Sequence, residues 1–190
     1  MNTKTLAVAA LMLVTGCATG GVSLTQQDIS ASYSPGEFAY AGAGRDLRVV
    51  VVGNPFGGGR AAFESAVTGA MQGRHWGQAV NFTTMPGANA RTSYRVVLLF
   101  GPPATLNAMR LCREEESALP TIPAADEVVL FGAFCRGGGS LTTIKGRVPG
   151  AANPQDPAFR DLVGRVTNGL FPPDRGRERE GRKCPPWMKC

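Results

Sequence analysis

Runs of apolar residues mark the strands that the sequence predicts. The β-branched run Leu47–Val52 is typical of a strand buried on much of both faces. A strand is also expected at Leu106–Cys112, between the break at Gly101-Pro102-Pro103 and an acidic loop. Four more strands are predicted at Val80–Thr84, Tyr94–Phe100, Glu127–Cys135 and Leu141–Arg147. The last two form a hairpin, because the segment that joins them, Arg136–Ser140, is rich in glycine.

Apolar residues at helical spacing predict two amphipathic helices. The first runs from about Ala61 to Gln72 and ends at Gly73; its apolar stripe consists of Phe63, Ala66, Val67, Ala70 and Met71. The second begins with Asp156 as the cap and Pro157 in its first turn, and it stops before Pro172. Its buried stripe consists of Phe159, Leu162, Val163, Val166 and Leu170.

The order of these elements predicts the fold class. A strand, a helix, several closely connected strands and a final helix suit an α+β domain, because two amphipathic helices need a sheet face to cover. We therefore expect a mostly antiparallel sheet of about five to six strands with two amphipathic helices packed on one face. The length after residue 45 suits a single domain over residues 46–172.

The N-terminus has the pattern of a targeting signal. Asn2, Thr3 and Lys4 precede the uncharged apolar run Leu6–Val14, which is too short to cross a bilayer and has the length of a signal-peptide core. Val14-Thr15-Gly16-Cys17 comes next and resembles the lipobox of bacterial lipoproteins. The resemblance implies that residues 1–16 are a signal peptide removed by signal peptidase II. It also implies that Cys17 is lipidated and acylated, with palmitate as a typical chain, and that it anchors the protein in a membrane.

The anchor also predicts where the protein is held. Residue 18 is alanine instead of aspartate, and by resemblance to bacterial sorting rules this sends a lipoprotein to the outer membrane, facing the periplasm. The inner membrane and the cell surface stay open as alternatives. Residues 17–45 are small and polar with little periodicity, so we interpret them as the lipid anchor and a flexible tether.

Charge is concentrated in residues 173–190, a basic tail that contains cysteine. The chain has a formal charge of +6, and half of it lies in this tail, mostly in the segment 175–183 (RGREREGRK). A nucleic-acid binder is expected to carry such charge on a folded face, so nucleic acid is not a predicted partner. We expect either a solvated tail or contact with an anionic envelope surface.

Cysteine usage agrees with an oxidising compartment. Four cysteines remain besides Cys17, namely Cys112, Cys135, Cys184 and Cys190, and they allow three connectivities. We favour Cys112 with Cys135, since both close apolar segments, and Cys184 with Cys190, which closes a small loop. A metal site is the competing interpretation, but the chain has no CxxC pair and a single histidine, so no metal and no cofactor are predicted.

One loop has the position of an anion-binding site. Gly57, Gly58, Gly59 and Arg60 lie between a predicted strand and a predicted helix, where amide groups attract anions. The lysine and hydroxyl of a phosphate-binding P-loop are missing, so a plain turn is the competing interpretation.

The sequence contains no catalytic set. His75 is the single histidine of the chain, and histidine is the residue type best suited to acid–base work near neutral pH, but no nucleophile elbow accompanies it. The acidic groups Glu114–Glu116 and Asp126-Glu127 are typical of solvated loops. We therefore predict a non-enzymatic envelope lipoprotein that acts as a scaffold, assembly or accessory factor with an envelope protein as partner. The alternatives are a small-molecule or glycan-binding module and, less favoured, a hydrolase that uses His75.

Overall fold

The computed structural model describes residues 21–123 and 126–173. Six strands form one mixed sheet, in the order β1-β6-β5-β4-β2-β3. Their bounds are β1 Ser23–Ile29, β2 Asp46–Val52, β3 Asn81–Thr83, β4 Tyr94–Phe100, β5 Glu127–Arg136 and β6 Gly139–Pro149. The helices are α1 Pro35–Gly42, α2 Arg60–Met71, α3 Ala108–Arg113 and α4 Pro157–Leu170. A single 3₁₀ turn, Glu116–Ala118, comes after α3 in the described residues.

The predicted fold class is confirmed. The pairings β1 with β6, β6 with β5 and β5 with β4 are antiparallel, whereas β2 pairs in parallel with both β3 and β4. The two predicted amphipathic helices, α2 and α4, cover one face, and α4 starts with the predicted cap because Asp156 accepts from the amide of Ala158 at 2.9 Å. The hairpin of β5 and β6 is also present, with its register running from Glu127 opposite Pro149 to Arg136 opposite Gly139.

The core lies between this sheet face and three helices, because α1 joins α2 and α4 there. Aromatic rings dominate its centre: Phe38 stacks on Phe171 with ring centroids 4.1 Å apart, and Phe134 meets both rings edge-on. Every one of these rings is almost fully buried. Each such side chain contributes on the order of 2 kcal/mol by leaving water, so this layer supplies much of the stability of the domain.

The expectation of a flexible tether over residues 17–45 is wrong for most of its length. β1 pairs with β6 along the sheet edge, and α1 packs Phe38 and Ala41 into the core. Ser34 caps α1 by accepting from the amide of Glu37 at 3.1 Å. The sequence does not reveal β1, because it is an edge strand with mostly exposed side chains and therefore has little hydrophobic alternation.

The prediction of a strand at Leu106–Cys112 is also wrong, because Ala108–Arg113 forms α3. Asn107 caps this helix by accepting from the amide of Met109 at 2.9 Å, and Arg110 pairs with Glu114 one turn later. Leu111 and Cys112 bury their side chains against the second face of the sheet, on Val97, Leu99 and Phe131. A short helix that covers a sheet face carries the same apolar residues as a strand, which explains the error.

The strand register gives the sheet two distinct ends. Ser23 lies opposite Arg147, which lies opposite Val129, and Phe100 lies opposite Leu130, so the start of β1 is level with the end of β4. We call this line of strand ends, which is distinct from the lateral edge formed by β1, the proximal edge. Tyr94 lies opposite Arg136 at the other end of β4, which we call the distal edge. The two edges are separated by about 20 Å, the length of a seven-residue strand.

Candidate functional site

Several predicted site residues lie outside the described residues. Cys17, Cys184, Cys190 and the basic segment 175–183 are among them, so the pairing of Cys184 with Cys190 and the contact with an anionic surface stay predictions. Because β1 begins at Ser23, the folded domain starts only a few residues after the predicted anchor. In the described part of the chain, no helix has both the length and the apolar character needed to span a membrane.

The predicted disulfide between Cys112 and Cys135 is confirmed. It links α3 to β5, with the two Cα atoms 5.6 Å apart and a sequence separation of 23 residues. Both cysteines are buried in the apolar layer under α3. The bond therefore fastens the helix that covers the second sheet face.

Loss of this disulfide is expected to lower the free energy of unfolding by about 3 kcal/mol, because opening a loop of this length releases chain entropy in the unfolded state. The change is Cys112→Ala with Cys135→Ala, made in a background where Cys184 and Cys190 are alanine. Chemical denaturation measures the difference from that background protein, and addition of a reductant to the background protein is the control. An unchanged midpoint in both experiments would contradict the structural role of the bond.

The predicted anion-binding loop ends at a neutralised arginine. Asn54 closes the loop, since its side-chain amide donates to the carbonyl of Gly57 at 2.7 Å. Arg60 begins α2 and pairs with Glu64 at 2.6 Å and also with Glu116. These two carboxylates raise the pKa of Arg60, and the hydrogen bond that Arg60 donates to Glu64 is the larger cause.

The cleft beside this loop carries a net negative charge. It has a volume of about 600 Å³, and Glu115 lines it together with the two partners of Arg60. An anion would have to compete with those carboxylates for the guanidinium, so the surroundings of Arg60 do not favour it. The anion-binding role of Gly57, Gly58, Gly59 and Arg60 stays a prediction.

His75 lies in an aromatic environment. Its ring meets Phe38 and Phe82 edge-on, with centroids 5.4 and 5.5 Å away, and its Nδ1 lies 3.0 Å from the carbonyl oxygen of Trp76. The neighbouring indole of Trp76 donates to the carbonyl of Phe171. These contacts pack His75 and Trp76 against the aromatic core, and none of them involves a nucleophile or an orienting carboxylate.

No metal centre is formed by the residues that the structure describes, because nowhere among them do three or more His, Cys, Asp or Glu side chains converge on one point. The acidic residues Glu114 and Glu116 pair instead with Arg110 and Arg60. Glu127 lies 3.9 Å from the guanidinium of Arg147 at the proximal edge.

A network of charged and phenolic groups lies at the distal edge. The carboxylate of Glu37 accepts from the Tyr94 hydroxyl at 2.5 Å and from the Arg136 guanidinium at 2.6 Å. The Tyr94 bond, together with the weaker influence of Arg136, lowers the pKa of Glu37, so this group is a carboxylate at neutral pH. Burial first and the Glu37 carboxylate second raise the pKa of Tyr94, which therefore stays a phenol.

Next to this network is a cleft that we call the distal cleft, with a volume of about 540 Å³. Three arginines and two tyrosines line it together with the loop 88–93: Tyr40, Arg45, Arg91, Tyr94 and Arg136. Sequence reasoning missed this cleft, because its residues come from α1, from the starts of β2 and β4 and from the end of β5. No single stretch of sequence carries enough of them to form a motif.

Comparison with known proteins gives a structural likeness but no family. No family model matches the sequence, and no curated protein matches it. One solved structure with a similar chain is a PelC variant dodecamer from Paraburkholderia phytofirmans, with 13% sequence identity and a TM-score of 0.40. The alignment covers 80% of this chain and 98% of that chain. The class that the fold itself defines is an α+β domain with a six-stranded mixed sheet and a disulfide-fastened helix on its second face.

Proposed function

We propose that this protein is a lipid-anchored envelope lipoprotein that faces the periplasm from the outer membrane and acts there as a non-enzymatic scaffold, assembly or accessory factor. The observation that carries the proposal is the order of features at the N-terminus: a basic start, the apolar run Leu6–Val14 and the lipobox that ends at Cys17. Two or more acyl chains on one protein give stable anchoring.

The disulfide supports the compartment. Cys112 and Cys135 are joined, and structural disulfides of this kind persist in oxidising compartments such as the periplasm. Reduced thiols would be the rule in the cytosol, where such bonds are rare.

The short distance from Cys17 to the folded domain gives the proposal a geometry. Five residues lie between Cys17 and the start of β1 at Ser23, and the six Cα-to-Cα steps across them span at most about 20 Å when fully extended. A lipidated Cys17 therefore holds the proximal edge close to the membrane. The distal edge, with its arginines and tyrosines, points away from the bilayer and is the end offered to partners.

Site-directed photo-crosslinking in living cells tests this arrangement. A photoreactive phenylalanine analogue is placed at Met85 or at Ile122. Met85 is 86% exposed and lies in the turn whose Gly87 amide donates to the carboxylate of Asp46 at the start of β2, on the distal side. Ile122 is 53% exposed and bonds to Gly101 at the proximal edge. We expect adducts with an envelope protein from position 85 and lipid adducts from position 122, both read by mass spectrometry.

The matched control is the same analogue at the buried position Phe134, where no intermolecular adduct is expected. Lipid adducts from position 85 and none from position 122 would overturn the orientation. An absence of protein adducts at both exposed positions would count against the scaffold role.

A further inference from the structure

The distal cleft carries positive charge that the described residues leave uncompensated. Of its three guanidinium groups, Arg136 is paired with Glu37. In residues 21–123 and 126–173, no carboxylate lies within ion-pair distance of Arg45 or Arg91. Two cations that share one cleft repel each other, and an anion placed between them would relieve that repulsion.

Arg91 is held in place for such a contact. Its Nε donates to the carbonyl of Tyr40 at 2.8 Å, and its Nη1 donates to the Tyr40 hydroxyl at 2.7 Å. The guanidinium carbon also lies 3.5 Å from the centroid of the Tyr40 ring. These bonds fix the plane of the guanidinium and use one side of it. The Nη2 group is not occupied by any hydrogen bond in the described part, and a fixed guanidinium is suited to a carboxylate or phosphate group.

Arg45, directly before β2, is the second cationic donor in the cleft. Its Nη1 makes one long bond of 3.5 Å, to the carbonyl of Asn89, so most of its hydrogen-bonding capacity is unused by the described residues. The cleft thus offers two cationic donor groups that approach it from different elements, the start of β2 and the loop before β4.

The remaining lining is polar with one exposed ring. Tyr40 is 54% exposed and meets Tyr94 edge-on at 6.0 Å between centroids. Asn89, Thr92 and Ser93 add amide and hydroxyl groups. A mainly apolar ligand would find few partners here. The cleft suits a ligand with three features: a face of C–H groups that packs on the Tyr40 ring, hydroxyl groups that bond to the loop, and an acid group that pairs with the arginines.

We propose that the distal cleft binds a sugar that carries an acid group, either a carboxylate or a phosphate. The acid group lies between Arg45 and Arg91, the sugar ring rests against Tyr40, and the loop 88–93 bonds to its hydroxyl groups. This inference goes beyond the proposed scaffold role and does not rest on lipidation of Cys17.

Calorimetric titration of the full chain in non-ionic detergent tests the ligand class. The probes are glucuronate, glucose 6-phosphate, glucose and inorganic phosphate. We expect one or both acidic sugars to bind, with affinity that falls as salt is added, and we expect glucose and inorganic phosphate to bind at least about tenfold more weakly. The acidic sugar that binds more tightly shows whether the cleft prefers a carboxylate or a phosphate.

Three results would overturn the proposal. Equal binding of glucose would remove the role of the arginines, and equal binding of inorganic phosphate would remove the role of the sugar ring. The absence of heat from every probe up to millimolar concentration would remove the site. None of these results bears on anchoring, which is measured separately by membrane fractionation.

Variants connect the binding to the named residues. Arg45→Gln is expected to raise the dissociation constant about tenfold, because it removes a charged donor, and Tyr40→Ala is expected to do the same by removing the ring. Arg165→Gln on α4 is the matched control, since it removes one exposed positive charge that does not line the cleft. If Tyr40→Ala fails to fold, Arg45→Gln decides alone, because the Arg45 side chain makes only the long bond to Asn89 among the described residues. Equal effects of Arg45→Gln and Arg165→Gln would contradict the proposal.

Discussion

Replacement of Cys17 by serine is expected to remove the protein from the outer-membrane fraction almost completely. Serine has no thiol to accept the diacylglyceryl group, so neither the lipid nor the subsequent cleavage would occur, and the uncleaved precursor keeps its apolar run Leu6–Val14 and stays at the inner membrane. Each buried CH₂ of an acyl chain contributes about 0.8 kcal/mol, so loss of several chains exceeds any other single effect expected in this protein. Membrane fractionation followed by mass spectrometry of the N-terminal peptide measures the change.

The control for this prediction is Cys184→Ser, which also removes a thiol but leaves the lipobox intact. That variant is expected to stay in the membrane fraction with a lipid mass on Cys17. Retention of Cys17→Ser in the outer-membrane fraction at the wild-type level, or an unmodified Cys17 in the membrane-bound wild type, would show that the protein is held by another means.

The parts of the fold that the sequence predicts correctly are those with strong local periodicity. Leu47–Val52 and Tyr94–Phe100 are central strands with apolar side chains on both faces, so their character is visible in one short window. The helix at Pro157–Leu170 has both a cap and a continuous apolar stripe. In each case the local signal and the tertiary contacts favour the same structure.

The parts that sequence reasoning misses depend on contacts distant in sequence. The edge strand Ser23–Ile29 is ordered by its pairing with β6, more than a hundred residues away, and its own side chains are mostly exposed. A local signal does exist for the next helix, α1, because Ser34 and Glu37 have the spacing of a capping box. The distal cleft has no such signal, since separate elements bring its arginines together.

Replacement of Gly101 by alanine is expected to lower the free energy of unfolding by about 4 kcal/mol, through backbone strain and overpacking together. Gly101 comes directly after β4 with φ of +67°, and an added Cβ would collide with the carbonyl oxygen of Ile122. The collision is with backbone that cannot rotate away. The amide of Gly101 donates to Val129 at 2.9 Å, and its carbonyl accepts from Ile122 at 2.7 Å. Chemical denaturation of the full chain measures the loss.

Gly57→Ala separates the two causes. Gly57 has φ of +70°, close to that of Gly101, but apart from its chain neighbours no atom of the described residues lies within 4 Å of an added Cβ. This variant therefore bears only the conformational strain and is expected to lose about 1 kcal/mol. The difference between the two variants measures how tightly the chain after β4 is held against Ile122 at the proximal edge. Equal losses would mean that this contact yields on substitution, and that the proximal edge is less rigid than its hydrogen bonds indicate.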